Sequence, residues 1–296
     1  MTRIISNLSD ISAQYDALFC DLWGCVHDGV TAMPEAVAAL QAFRQKGGMV
    51  VLLTNAPRPR AEVAEQLARL GVPEDAWDTI ATSGDAARVA LFTGAVGQKI
   101  YHIGEQRDLA FFEPLRIVEN PTPITRVDSL AEADGVVCTG PFDARQPPEV
   151  LRPQLLEAKT RGLTLLNANP DIVVDRGDQR EWCAGAVAQL YEQMGGNVLA
   201  FGKPHPPVYD MARRRLAEAG GGQIGDGSIL AVGDGIHTDI KGAVGEGIDA
   251  LFVTGGLAAA ETGTGPAPEA QPDPAKLETF LSEHSLSPTY SIGRVR

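Results

Sequence analysis

Positive charge, cysteine and long apolar runs are all scarce in this sequence. Lys and Arg number 25 against 38 Asp and Glu, a formal net charge of -13. No basic patch emerges, and an acidic field of that size repels phosphate backbones, which argues against a nucleic-acid partner. It leaves open a small phosphorylated substrate, because one local cationic site can overcome a distant net charge. The cysteines are four, Cys20, Cys25, Cys138 and Cys183, with no C-x-x-C spacing and three of them inside apolar runs. They read as core thiols in a reducing compartment, not as a metal cluster or disulfides. No apolar run reaches the roughly eighteen residues of a membrane span, and "MTRIISNLSDISAQYD" lacks the apolar stretch of a secretory leader. A cytoplasmic protein with no membrane partner is expected. No fixed-period repeat is present.

What is there is a chain of 296 residues, long enough for a full core and two domains. Several short apolar runs end on polar residues. "YDALFCD" ends at Asp21, "MVVLLTN" at Thr54 and Asn55, "NVLAFGK" at Lys203, "SILAVGD" at Asp234, and "DALFVTGG" at Thr254 and two glycines. Mostly apolar runs without strict alternation suit parallel strands buried on both faces. Between them lie helical patterns with Pro near the start and Gly past the end, such as "MPEAVAALQAFRQKGG" and "PRAEVAEQLARLG". The alternation predicts an α/β fold with a doubly wound parallel sheet. "KIYHIG", "GVVCTG" and "LTLLNANPD" read as strands of a smaller α/β unit, with helices at "PEVLRPQLLEAKTRG" and "AGAVAQLYEQMGG". The expected division is 1–83 for the first part of the main domain, 84–196 for an inserted unit, and 197–296 for the second part. Gly84, Gly195 and Gly196 would make the crossings pliable hinges. The stretch rich in Ala, Gly and Pro after Gly256 reads as a loop, with "KLETFLSEHS" a last short helix.

Ligands of open parallel sheets bind beyond the carboxyl ends of the strands. A crevice gathering Asp21, Thr54, Lys203 and Asp234 would hold two carboxylates, a hydroxyl and an ammonium. Carboxylates hold Mg²⁺, a hard cation that prefers oxygen. An ammonium and backbone N–H groups neutralise a phosphoryl group, and one carboxylate can attack phosphorus. Taken singly, each residue has a plainer reading as a loop cap, turn or solvated charge, and Asp239 as a first-turn acid favouring its helix dipole. The ordered set favours function. Arg58 and Arg60 could bind a second anionic group, although such a pair more often sits at a solvated helix start.

These residues fall in the order of a known family. "DLWGCVHDG", "LLTNAP", "FGKPHPPVY" and "VGDGIHTDIKGA" resemble the four motifs of the haloacid dehalogenase (HAD) superfamily, in particular its class IIA, NagD-like phosphatases. The resemblance implies Asp21 as nucleophile and metal ligand, Thr54 on the phosphoryl group, and Lys203 holding both. It implies Asp234 on Mg²⁺, Asp239 supporting the metal site, and the backbone carbonyl of residue 23 as a further ligand. The family's cap falls where the insert is placed, and "NANPDIVVD" resembles its substrate-facing segment, nominating Asn169 and Asp171. Substrate choice would reside around residues 169 to 175.

One position departs from the pattern. The family's phosphatases usually carry an Asp two residues after the nucleophile, which protonates the leaving oxygen and then deprotonates water. Here it is Trp23. General acid–base help is worth roughly a hundred- to ten-thousand-fold, so alkyl phosphates should be poor substrates. His27, Asp28 and His237 are the candidate surrogates, each more often a polar loop residue. A substrate with a good leaving group, or chemistry other than ester hydrolysis, is another escape. The resemblance points to a Mg²⁺-dependent hydrolase of a small phosphorylated metabolite working through an aspartyl-phosphate, with a homodimer possible. The alternative is a catalytically impaired ligand-binding or regulatory module, in which Trp23 stacks on a flat ligand ring.

Overall fold

The computed structural model describes residues 2–115, 117–220, 222 and 224–296. The chain opens with β1 (Arg3–Ile4), β2 (Ala17–Cys20), α1 (Pro34–Gln45), β3 (Met49–Thr54), α2 (Arg60–Leu70), β4 (Thr79–Thr82) and α3 (Ser83–Phe92). Next come β5 (Lys99–Ile103), β6 (Thr125–Val127), β7 (Gly135–Cys138), α4 (Arg152–Thr160) and β8 (Thr164–Asn167). A hairpin, β9 (Val173–Arg176) and β10 (Gln179–Trp182), leads to α5 (Ala184–Gln193) and β11 (Asn197–Ala200). The chain finishes with α6 (Pro206–Gly220), β12 (Ile229–Gly233), α7 (Lys241–Glu246), β13 (Asp249–Val253), α8 (Ala259–Thr262), α9 (Pro274–His284) and β14 (Tyr290–Ile292). No described helix is long and apolar enough to cross a membrane.

Seven strands form one sheet, ordered β1-β14-β13-β12-β2-β3-β4 and parallel throughout. Alternate residues of β2 serve opposite faces, as a pleated strand requires. Leu18 and Cys20 pack with Leu40 and Phe43 of α1 and Leu67 of α2. Ala17 and Phe19 pack with Val208 and Leu216 of α6 and Phe280 of α9. Both faces are therefore covered, and the strands need no polar face. Proline stands near the start of α1, and Gly71 ends α2 in the left-handed conformation at φ 86°.

A second parallel sheet has the order β11-β8-β7-β5-β6. Val136 and Cys138 face α4 and α5, through Leu155 and Val187, while Val137 faces Leu91 of α3. All four cysteines are buried and unpaired, as the core-thiol reading expects.

Two expectations are corrected. "NVLA" does form a strand, but β11 pairs with β8 in the second sheet, so Asn197–Ala200 does not belong with the seven-stranded sheet. The apolar pattern marks a strand without naming its partner. Two of the three glycines at the crossings, Gly84 and Gly196, are also not loose joints. A Cβ on Gly84 would lie 2.3 Å from the Pro57 carbonyl oxygen, and one on Gly196 would lie 2.4 Å from the Tyr191 ring. These two are close-packing positions, whereas Gly195 adopts φ 84° with nothing nearer to its Cβ position than Lys159 Cε at 3.6 Å.

Gly84→Ala should therefore destabilise the fold by about 1–3 kcal/mol, because a backbone carbonyl cannot step aside. Gly245→Ala is the control: a Cβ there meets nothing within 4 Å, and better helix propensity should leave stability equal or about 0.5–1 kcal/mol higher. Urea unfolding of the two variants checks both.

Candidate active site

In the seven-stranded sheet the chain steps outward from β2 through β3 to β4 on one side, and from β12 through β13 to β14 on the other. The strand order reverses between β2 and β12, and a crevice opens past their carboxyl ends. Asp21 follows β2 and Asp234 follows β12. The Asp21 N–H donates to the Val232 carbonyl at 2.8 Å, continuing the ladder by one residue and fixing the carboxylate at the strand end.

The Asp21 and Asp234 carboxylates and the Cys25 sulfur each place a ligand atom within 4.8 Å of the others. Burial pushes the Cys25 thiol well above its ordinary range, aided by the nearby Asp234 and Asp21 charges, so it stays protonated and leaves the carboxylates as donors. Asp234 sits in a cradle. Its Oδ2 accepts from the Leu257 N–H at 3.0 Å. A Cβ on Gly24 would fall 2.2 Å from that oxygen, and one on Gly256 2.0 Å from it. Gly24 also has φ 71°, so both its conformation and its contact require glycine.

Lys203 holds the far side. Its Nζ donates to Asp21 Oδ1 at 2.6 Å, Asp239 Oδ1 at 2.7 Å and the Leu53 carbonyl at 3.0 Å, which uses all three N–H groups. Asn55 clamps the lysine backbone, accepting from Lys203 N at 2.7 Å and donating to Lys203 O at 3.1 Å. Asp239 is fixed in turn by the Gly235 N–H at 3.1 Å and the Thr238 hydroxyl at 3.3 Å, both on Oδ2. Burial opposes the charge on Lys203, but Asp21 and Asp239 outweigh it and hold the ammonium protonated well above its usual range. Burial, with the charges of Asp21 and Asp239, pushes the Asp234 carboxyl well up. Three buried carboxylates thus face one ammonium, and ionising all three would leave an excess of two negative charges that the raised Asp234 carboxyl resists until a cation balances it. That donor set, all hard oxygen, fits a divalent cation of the magnesium type.

Two cavities adjoin this cluster. The smaller, about 190 Å³, is lined by Asp21, Asp28, Asp234 and Asp239. The larger, about 590 Å³, is lined by Arg58, Gln66, Arg107, Asp108, Thr139 and Trp182 among others. Trp23, Asp171 and Val174 line both. The Trp23 ring is held from two sides. The Arg176 guanidinium of β9 lies 5.1 Å from its centroid, and His27 meets it edge-on at 5.1 Å. One face of the indole is thus covered by an arginine.

The structure brings Asp21, Lys203, Asp234 and Asp239 together, while Thr54 is buried at the end of β3 and lines neither cavity. Thr54 Oγ1 accepts from Ala56 N at 3.2 Å, which leaves its O–H able to donate. Asn55 is present but committed: its amide is spent on Lys203 and on Asp171 Oδ1 at 2.8 Å. Arg58 lines the large cavity, bonded to Gln66 Oε1 at 2.5 Å, whereas Arg60 is exposed and lines neither cavity. Asn169 lines the large cavity with its Oδ1 accepting from Asp171 N at 3.0 Å.

The three surrogate acids do not fit. His27 is buried, its Nδ1 accepts from Gly29 N at 3.1 Å, and burial lowers its pKa to about 4, so the ring is neutral. Asp28 lines the small cavity, but its Oδ1 accepts from Val30 N at 2.8 Å and Thr31 N at 2.7 Å. Burial works against its charge, yet those N–H groups keep it below the usual range, an ionised loop cap with no proton to give. His237 packs edge-on against His284 of α9, with ring centroids 4.7 Å apart, outside both cavities.

Sequence reasoning missed Arg176 over Trp23 and the Leu257 N–H on Asp234. It also missed a chain in which His102 Nε2 meets the Thr139 hydroxyl at 2.9 Å and that hydroxyl donates to Asp108 Oδ2 at 3.0 Å. The strand-end rule would have found this last group, since His102 lies on β5 and Thr139 follows β7.

Two family models match the chain. One, described as haloacid dehalogenase-like hydrolase, covers residues 18–117, and a second, HAD-hydrolase-like, covers residues 200–279. A crystal structure of a hydrolase of the haloacid dehalogenase-like family from Brucella suis 1330 is 40% identical, with a TM-score of 0.85 over 99% of this chain and 100% of that one. The D-glycerol 3-phosphate phosphatase of Mycobacterium tuberculosis is 26% identical over 84% of this chain, which spans 66% of that protein's length. Phosphoglycolate phosphatase 2 of Arabidopsis thaliana is 25% identical over 85% of this chain and 87% of its own. The strand-end carboxylates, the buried lysine and this likeness agree: the chain belongs to the haloacid dehalogenase-like hydrolase family.

Proposed function

We propose that the protein hydrolyses the phosphate monoester of a small metabolite through an aspartyl-phosphate on Asp21. The observation that carries this reading is the Lys203 ammonium bridging Asp21 and Asp239 at 2.6 and 2.7 Å in a buried site. A surface lysine has no need of such an arrangement. The two phosphatase relatives support the substrate class.

Asp21 supplies the attacking oxygen, and its hydrogen bond from Lys203 aims it out of the strand end. The Thr54 hydroxyl donates to a phosphoryl oxygen, and the Lys203 ammonium, its N–H groups committed to Asp21, Asp239 and Leu53, contributes its charge. Asp21, Asp234 and the Trp23 carbonyl would hold Mg²⁺, with Asp239 behind them. When bound, the ion neutralises the phosphoryl group and the carboxylate excess. Cleavage then releases the alcohol toward the larger cavity, whose 590 Å³ lies in the range of about 300–1,000 Å³ typical of small-molecule sites. The second sheet, through β11, acts as a cap over the crevice, and Arg58 receives an anionic or polar group of the leaving alcohol.

Three results are expected. Asp21→Asn should reduce hydrolysis of para-nitrophenyl phosphate with Mg²⁺ to background, whereas activity equal to native would remove Asp21 from the reaction. Mg²⁺ should stabilise the native protein by mass action, about 2.7 kcal/mol at a hundredfold excess over Kd, and so raise its melting temperature. Asp234→Asn should lose most of that shift, yet melt at least as high as native in EDTA, because it removes a repelled buried carboxylate. For an anionic metabolite found by screening, Arg58→Ala should raise KM several-fold with little change in kcat, and an unchanged KM would retire that contact.

A further inference from the structure

The reaction proposed above needs a proton donor at the leaving oxygen, and Trp23 cannot be one, since an indole N–H is not acidic. We infer that Asp171 transfers this proton, from the opposite side of the crevice. The inference rests on the phosphatase reading and adds to it a residue and a role.

Position singles out Asp171. The phosphoryl group belongs in the small cavity with Asp21 and Asp234, and the leaving group in the large one. The bond that breaks lies where the two meet. Trp23, Asp171 and Val174 are the described residues that line both. Asp171 alone among them is ionisable in water.

Asp171 is also held as an acid–base group must be. The loop after β8 braces itself, with Asn169 N donating to Asn167 Oδ1 at 3.1 Å and Asp171 N donating to Asn169 Oδ1 at 3.0 Å. The Gly185 N–H at the start of α5 donates to the Asp171 carbonyl at 3.1 Å. Asn55 Nδ2 donates to Asp171 Oδ1 at 2.8 Å while its own oxygen accepts from Lys203 N, so one amide ties the carboxylate to the lysine loop. No donor among the described residues engages Asp171 Oδ2. Burial raises its pKa to about 6, against the pull of Lys203 and the Asn55 hydrogen bond, which keeps both protonation forms accessible near neutrality.

The steps balance. An Asp21 oxygen bonds to phosphorus as the bond from phosphorus to the leaving oxygen breaks, and that oxygen keeps the electron pair. It takes the proton of the Asp171 carboxylic acid and leaves as an alcohol. The Asp171 carboxylate then takes a proton from water as the water oxygen bonds to phosphorus. The bond from phosphorus to Asp21 breaks, restoring the Asp21 carboxylate and releasing inorganic phosphate.

The test is a series of aryl phosphates of similar shape and rising leaving-group pKa, from para-nitrophenyl to phenyl phosphate, with Mg²⁺, on native protein and Asp171→Asn. Asparagine keeps the bond from Asn55 and lacks the proton. A proton donor matters little to nitrophenolate and greatly to phenolate. The variant should lose less than about tenfold on para-nitrophenyl phosphate and at least about a hundredfold on phenyl phosphate. Trp23→Asp added to Asp171→Asn should recover phenyl phosphate. Equal losses across the series would mean a structural role and overturn the inference, as would no loss at all. If the native protein turns over no member, the phosphatase reading itself falls and takes the inference with it.

Discussion

The ammonium of Lys203 is the contact around which this molecule is arranged. It joins the ends of β2 and β3 to the loop after β12 through Asp21, the Leu53 carbonyl and Asp239. Its own backbone is pinned by Asn55, at the end of β3. Four chain segments far apart in sequence meet at one buried charge. Such a pair is weak evidence of stability, because desolvation offsets much of the attraction. Breaking it is another matter: removing one partner of a buried pair costs about 3–5 kcal/mol, since the rest of the cluster is left unbalanced. The carboxylates need the lysine, and their remaining excess calls for a divalent cation.

Asn55 extends that constraint to the second sheet. Its amide reaches Asp171 as well as Lys203, so the loop after β8 is registered against the catalytic end of β3. The β9–β10 hairpin makes a second contact. Gly177 N donates to the Asp28 carbonyl at 3.0 Å, and Arg176 covers Trp23. A partly desolvated cation–π pair of this kind is worth about 0.5–2 kcal/mol. The side chain that replaces the family's proton donor therefore docks the hairpin. Trp23 serves packing at this position, and in the inference above the proton at the leaving oxygen comes from Asp171 on the other wall.

Much of this was legible in the chain. Parallel strands covered on both faces are written as unbroken apolar runs, so β2, β3, β12 and β13 and the residues that follow them could be read directly. β1 has two residues and β14 three, too short for any periodicity to show. The pattern of β11 marks a strand but not its partner β8, because pairing depends on the whole topology. The surrogate acids that the sequence offers are His27 and Asp28, close to Trp23, and His237 in the fourth motif. The residue facing the junction is 116 positions from its hydrogen-bond partner Asn55, a distance no local motif spans. The plain readings prevailed for His27, Asp28, His237 and Arg60, where burial, backbone donors or exposure left nothing for chemistry.

The central claim is that Asp21 becomes phosphorylated. The most direct measurement is to mix the protein with para-nitrophenyl phosphate and Mg²⁺, quench in acid within the first turnover, and map phosphorylation by peptide mass. The account predicts one phosphoryl group on the peptide carrying Asp21, released by hydroxylamine as an acyl phosphate is. Turnover with that peptide unmodified at every quench time, or with phosphate on another residue, would contradict it.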